Sequence, residues 1–126
     1  MEHLSKTAIK LYSQFAVAVW WATPVEIASA LARLHRLKTL TSSDLAAAQK
    51  VADGLALNWW SVPASALILK RAVTSVSQFG LRAADALQLA AALDWCDDQP
   101  TGRLFLTADD KLKEAAHHLG FDTSYL

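Results

Sequence analysis

The sequence predicts one α/β domain spanning residues 1–126, with a mainly parallel sheet flanked by helices. A length of 126 residues suits one domain. Ala and Leu together supply 44 residues, whereas Gly and Pro supply only 7, a balance that favours helices. Short apolar runs also alternate with longer stretches of helical periodicity, a pattern typical of parallel strands joined by helices.

The first strand is predicted at residues 15–21, where the run FAVAVWW lacks the alternation of a half-exposed strand. Pro24 suits the first turn of the following helix, which we expect Thr23 to cap. Apolar residues recur at helical spacing as far as about Leu37 (Ile27, Leu31 and Leu34). The apolar run at residues 15–21 and the helical spacing that follows it together predict a strand and then an amphipathic helix.

The middle of the chain predicts two further helices around a second strand. The spacing between Thr41 and Asp44 resembles a capping box and starts a helix that Asn58 ends. Residues 59–62 form the second predicted strand. Pro63 then opens a helix over residues 64–78, which ends at Phe79 and Gly80.

The last third of the chain contains the helix with the most apolar sequence. Residues 83–95 are apolar on nearly every face, so we expect this helix to be buried. After a loop, residues 103–106 (RLFL) read as a third strand, with Thr107 capping a final amphipathic helix over residues 108–119.

Composition excludes several classes of protein. A hydrophobic content of 53% against 19% charged residues argues against intrinsic disorder. The longest apolar run, residues 15–22, is too short to span a membrane, and the first ten residues lack the apolar core of a secretory signal. We therefore expect a cytoplasmic protein, in agreement with its single cysteine. The formal net charge is zero, so any nucleic-acid binding must be local.

Two acidic residues lie in the first turns of predicted helices. Glu26 follows the first predicted strand by five residues, and its interaction with the helix dipole, worth ~0.3–1 kcal/mol, would explain it without a site. Asp85 is the only acid within residues 81–93, and a carboxylate on a buried helix is costly unless a partner compensates it. Asp85 therefore has two interpretations: a first-turn acid that accepts hydrogen bonds from free backbone N–H groups, or part of a cation site.

A third acidic position, Asp109, follows the third predicted strand. A capping pair between Thr107 and Asp110 would explain Asp110 but not its neighbour. The three acids Glu26, Asp85 and Asp109 could converge at one edge of the sheet, where α/β proteins place their sites. Carboxylates without Cys or paired His suit Mg²⁺ or Mn²⁺, which favours metal-assisted hydrolysis of a phosphodiester.

Three stretches of the chain resemble the second, third and fourth motif regions of the PIN domain family, especially its VapC-type toxins. They are ATPVEIASALARLHR (22–36), LRAADALQLAAAL (81–93) and LFLTADDKLKEAAHHLGF (104–121), and the resemblance covers about residues 15–121. The resemblance implies a PIN-like sandwich and an endoribonuclease that uses Mg²⁺ or Mn²⁺. It implies that Glu26, Asp85 and Asp109 are catalytic metal ligands, with Thr107 as a supporting hydroxyl. It also implies an RNA substrate and a cognate antitoxin protein.

One part of the family pattern is absent, because PIN domains open with a strand that ends in a metal-binding Asp. Residues 1–14 contain no Asp, so either the sequence given starts late or the chain is a degenerate member without its first strand. The alternative function is accordingly a PIN-like binding or scaffold module that acts through a partner. Another Mg²⁺ hydrolase on an α/β sheet is a third possibility. An unpaired central strand position would favour a homodimer or a higher oligomer.

Overall fold

A computed structural model of the chain describes Lys6 and residues 10–123. Within these residues the fold is mixed α/β and mostly helical, with helical turns at residues 10–14 preceding the elements named below. In chain order the elements are β1 (Ala18–Trp20), α1 (Thr23–Arg36), α2 (Ser42–Ala56), β2 (Trp60–Val62), α3 (Ala66–Phe79), α4 (Ala83–Trp95) and α5 (Asp110–His118).

The sheet consists of the two strands β1 and β2, which pair in parallel. Ala18 lies opposite Trp60 and Trp20 lies opposite Val62, and the crossover between the strands contains α1 and α2. Parallel strands need such a long connection because a tight turn can only reverse the chain. The prediction of parallel strands in these two positions is confirmed, although β1 is shorter than the predicted strand 15–21.

The prediction of a third strand at residues 103–106 is wrong. Only Leu104 forms a bridge, to Asp122, and it does not join the sheet within the described part of the chain. The backbone N–H of Phe105 donates to the carbonyl of Asp122, and the N–H of Asp122 donates to the carbonyl of Arg103, both at 2.9 Å. The segment therefore satisfies its backbone groups with the chain that follows α5, and the apolar run packs without forming a sheet strand.

Helix boundaries follow local side-chain chemistry. At α2 the capping box is confirmed: the Asp44 N–H donates to Thr41 Oγ1 at 3.0 Å, and the Thr41 N–H donates to Asp44 Oδ2 at 3.1 Å. Gly80 ends α3 with a φ of 65°, a left-handed conformation that glycine adopts without strain. The predicted cap at Thr23 is wrong, because Ala22 is the N-cap of α1 and makes no side-chain bond.

The third and fifth helices begin two residues later than the sequence predicts. The Ser65 side chain caps α3 by accepting from the N–H of Ile68, so this helix begins at Ala66 and Pro63 precedes it. Asp109, rather than Thr107, is the N-cap of α5. In each helix the residue just before the first turn, Ser65 or Asp109, accepts a hydrogen bond from a backbone N–H of that turn. This bond sets the first residue of the helix.

The core is built on α4, whose predicted bounds and burial are both confirmed. Its buried residues pack with residues from β1, β2, α3 and α5 in one cluster. Leu89 is 0% exposed and is among the largest fully buried side chains, together with Ile68 and Leu112. The helices α3 and α4 form an antiparallel hairpin around Gly80, which places the C-terminal end of α3 beside the N-terminal end of α4.

The helices α1 and α2 contribute much less to this core. Neither contains a fully buried residue, and the predicted stripe on α1 (Ile27, Leu31 and Leu34) is only half-buried. These two helices pack mainly on one another. No helix in Lys6 or residues 10–123 combines the length and apolar character needed to cross a membrane.

Candidate functional site

Asp85 lies in the first turn of α4, the most buried helix, and its side chain is half-buried. Burial raises the pKa of Asp85 above its ordinary value, the negative charge of Asp109 raises it further, and Arg82 partly offsets both effects. A raised pKa in a carboxyl group beside a second acid is typical of sites for protons or cations. The structure therefore brings two of the three predicted site residues, Asp85 and Asp109, within electrostatic range.

Asp109 is held in place by the start of α5. Its Oδ1 accepts a hydrogen bond from the N–H of Leu112 at 2.8 Å, which caps the helix. Its own N–H donates to Thr107 Oγ1 at 3.1 Å. Thr107 thus supports the backbone of Asp109, and the predicted cap formed by Thr107 with Asp110 is wrong. The second oxygen of the Asp109 carboxylate is not used by the cap.

Glu26 lies in the first turn of α1 and is tied to α4 by Gln88. The Gln88 side-chain amide donates to Glu26 Oε2 at 2.7 Å, across 62 positions of sequence. The other oxygen, Oε1, is buried and has no hydrogen-bond partner. A buried acceptor without a partner costs about 1–3 kcal/mol, so this oxygen is available to a donor or a cation.

Gln88 connects Glu26 to the other two acids. It lies three residues after Asp85, and side chains at this spacing share a helix face with their Cβ atoms about 5–6 Å apart. Glu26 is thus linked to the first two turns of α4 through Gln88, and Asp109 is linked to them through its charge on Asp85. The three acids are not a tight three-residue cluster: no group of three His, Cys, Asp or Glu side chains in the described part of the chain is arranged to hold a metal.

Sequence reasoning missed two residues of this site, Gln88 and Arg82. Gln88 is the only uncharged polar side chain within residues 81–93, and such a residue on a buried helix usually has a polar partner. Arg82 is the N-cap of α4 and makes no capping bond with its side chain. Its position three residues before Asp85 places a cation at the edge of the acidic site, where it lowers the pKa of that carboxyl.

Comparisons with protein-family models, with curated proteins and with solved structures gave no match to this chain.

Proposed function

We propose that this chain is a Mg²⁺- or Mn²⁺-dependent endoribonuclease of the toxin class that its motifs resemble, with a PIN-like fold and a cognate antitoxin as partner. The observation that carries the proposal is Asp85. It is a half-buried acid at the N-terminal end of the central helix, with a pKa raised by burial and by Asp109. Its sequence context, R-x-x-D-A, is the most specific of the resembling motifs.

The residues present fit a magnesium-type cation better than a zinc ion. Zinc sites use three or four Cys, His or acidic ligands, whereas Mg²⁺ keeps several waters and is often bound by only one or two carboxylates together with substrate phosphates. Asp85 and Asp109 supply such a pair, and the unpartnered Oε1 of Glu26 supplies a further acceptor. The ion, when bound, polarises the phosphodiester and lowers the pKa of a bound water.

The chain's own residues have separate tasks in this proposal. Asp85 and Asp109 hold the ion, and Thr107 fixes the backbone of Asp109 through the 3.1 Å bond. Gln88 orients Glu26 by holding Oε2, which restricts the rotamer of Glu26 and leaves Oε1 without a partner. Preorganised ligands of this kind lose little entropy on binding.

A cleavage assay tests the proposal. Purified protein is incubated with single-stranded RNA in Mn²⁺, in Mg²⁺ or in chelator, and the expected result is cleavage that requires the metal. Asp85→Asn should abolish cleavage without unfolding the protein. Asp94→Asn is the matched control, because it removes an acid from the last turns of the same helix. Metal-independent cleavage, or equal loss in both variants, would contradict the proposal.

A binding or scaffold function is the second candidate, and the surface of α3 favours it. Leu69, Val73 and Val76 follow one another at helical spacing and are 61%, 66% and 42% exposed. Exposed apolar stripes are typical of protein interfaces, including those of homodimers. If the wild-type chain leaves RNA intact in either metal but forms a stable dimer or a complex in size-exclusion chromatography with light scattering, the scaffold function replaces the enzyme.

A further inference from the structure

A groove of about 320 Å³ lies between the last turn of α3 and the helix α5. Two residues of α3 and four of α5 line it: Gln78, Phe79, Lys111, Glu114, Ala115 and His118. Lys111 lies two positions after Asp109, and Glu114 lies five positions after it, about 7.5 Å along the helix axis. The groove therefore begins beside the acids of the proposed active site and leads away from them along α5.

The polar groups of the groove are a cation and a carboxylate with unused hydrogen-bonding capacity. Lys111 and Glu114 are three positions apart, so they share one face of α5. The Lys111 ammonium donates to the carbonyl of Gly80 at 3.4 Å, which leaves two of its three donors free. Glu114 is exposed and forms no hydrogen bond or ion pair within the described part of the chain. The groove thus places a group that only donates beside a group that only accepts.

The aromatic groups of the groove are the rings of Phe79 and His118. Their centroids lie 5.5 Å apart with an interplanar angle of 69°, an edge-to-face pair that joins α3 to α5. Bases of single-stranded RNA stack on aromatic side chains of this kind. Stacking tolerates every base, so the rings favour a base as occupant, and the polar groups determine which base.

The carboxylate of Glu114 selects among the four RNA bases. Only guanine has two adjacent donors on its Watson–Crick edge, N1–H and the N2 amine, and both oxygens of one carboxylate can accept from them. Its O6 acceptor lies next to N1–H, where a donor such as the Lys111 ammonium can reach it. Adenine and cytosine offer one donor on this edge, and the single donor of uracil lies between two carbonyls that repel a carboxylate.

We propose that this groove binds a guanine of the RNA, with Glu114 on N1–H and the N2 amine, Lys111 on O6, and the base against Phe79. The proposal rests on the RNA substrate of the proposed function and adds a base preference to it. Since the groove begins two positions from Asp109, the guanine would lie close to the phosphodiester that is cleaved.

Nuclear magnetic resonance titration of the full chain in chelator tests the proposal with four nucleoside 5′-monophosphates: GMP, IMP, AMP and CMP. All four have the same ribose phosphate, so differences in Kd report the base, and IMP differs from GMP only by the missing N2 amine. We expect saturable shifts of α5 amide resonances. GMP should bind roughly tenfold more tightly than IMP, because it makes one more hydrogen bond to a charged group. AMP and CMP should bind more weakly than GMP.

Three variants assign the preference to its residues. Glu114→Gln should bring the ratio of the IMP and GMP dissociation constants to about one, because an amide has one acceptor instead of two. Lys111→Met should weaken both nucleotides by the same factor and preserve the ratio, since both have O6. Asp110→Asn, which removes an exposed acid of α5 outside the groove, is the control and should bind like the wild type. Circular-dichroism melts verify folding, and the comparison of GMP with IMP in the wild type needs no variant.

The outcomes separate this inference from the proposed function, because the titration requires neither metal nor cleavage. Absence of saturable shifts, equal binding of GMP and IMP by the wild type, or a ratio that Glu114→Gln leaves unchanged would overturn the guanine site. Cleavage of RNA in Mn²⁺ together with any of these results would leave the proposed function intact. The expected GMP preference in a protein that leaves RNA intact would support the guanine site and contradict the proposed function.

Discussion

Asp109 has two roles that two substitutions can separate. Its side chain caps α5 through the bond from the Leu112 N–H, and its charge raises the pKa of Asp85. Asparagine has a side-chain oxygen in the same place and is as good an N-cap as aspartate, but it has no charge. Alanine removes the charge and the cap together. The difference between Asp109→Asn and Asp109→Ala therefore measures the cap alone.

The size of that difference follows from the cap. Replacing an N-cap aspartate or asparagine by alanine costs about 1 kcal/mol. An unfolding entropy of about 2.1 cal/mol/K per residue gives roughly 0.26 kcal/mol/K over the 126 residues, so 1 kcal/mol corresponds to about 4 °C in Tm. Asp109→Ala should thus melt about 4 °C below Asp109→Asn. At neutral pH the Asn variant should melt at or above the wild type, because the charge on Asp85 has lost its repulsive neighbour.

Thermal melts and a side-chain carboxyl titration of Asp85 by nuclear magnetic resonance check both roles. In Asp109→Asn the pKa of Asp85 should move down towards its ordinary value of 3.8, with only the effects of burial and Arg82 remaining. The control is Asp110→Asn, which changes the exposed neighbouring acid and should leave that pKa in place. Equal melting temperatures of the Asn and Ala variants would refute the capping argument, and an unchanged pKa of Asp85 in Asp109→Asn would refute the electrostatic one.

Four further predictions concern the site and the core. Because the folded state raises the pKa of Asp85, the contribution of Asp85 to stability should increase as the pH falls from neutral through that pKa. Asp85→Asn should therefore be more stable than the wild type only at the high end of a pH series of melts. Mn²⁺ at ten times its Kd should stabilise the wild type by about 1.4 kcal/mol and leave Asp85→Asn unchanged in the same melts. Gln88→Leu should weaken Mn²⁺ binding roughly 10- to 100-fold in calorimetry, since Glu26 loses its orienting bond, and unchanged affinity would refute that role. Leu89→Ala should lower the free energy of unfolding by about 2–5 kcal/mol in denaturant titrations, whereas Leu69→Ala on the exposed face of α3 should change it by less than about 0.5 kcal/mol.

The elements that the sequence predicts best are those whose signals are local. The bounds of α4 follow from a continuous apolar stretch, and the start of α2 follows from Thr41 and Asp44, which bond within four residues. The segment 103–106 has an equally clear apolar signal, but a strand exists only if another edge accepts its hydrogen bonds. In this chain the backbone of Asp122 accepts from the N–H of Phe105 and donates to the carbonyl of Arg103. That partner is set by how the chain returns after α5, which no local pattern specifies.

The candidate site also contains some features that the local sequence predicts and others that only the tertiary structure determines. Motif context predicts that Glu26, Asp85 and Asp109 converge, and the structure places Asp85 and Asp109 within electrostatic range. The choice between Thr107 and Asp109 as the cap of α5 depends on backbone angles, because both side chains are good N-caps. The bond between Gln88 and Glu26 joins residues 62 positions apart, so only the tertiary fold determines it.

The position of Glu26 depends on a contact between the least buried and the most buried parts of the fold. Its helix, α1, contains no fully buried residue, so packing alone gives that helix weak positional restraint. Gln88 lies on α4, which provides Ala86, Leu89 and Ala90 to the core and is held on several sides. The 2.7 Å bond between the two side chains therefore transfers the rigidity of α4 to the acid on α1. The orientation of Glu26 therefore depends on Gln88, whereas Asp85 and Asp109 are placed by the starts of their own helices, so Gln88→Leu should affect Glu26 without displacing the other two acids.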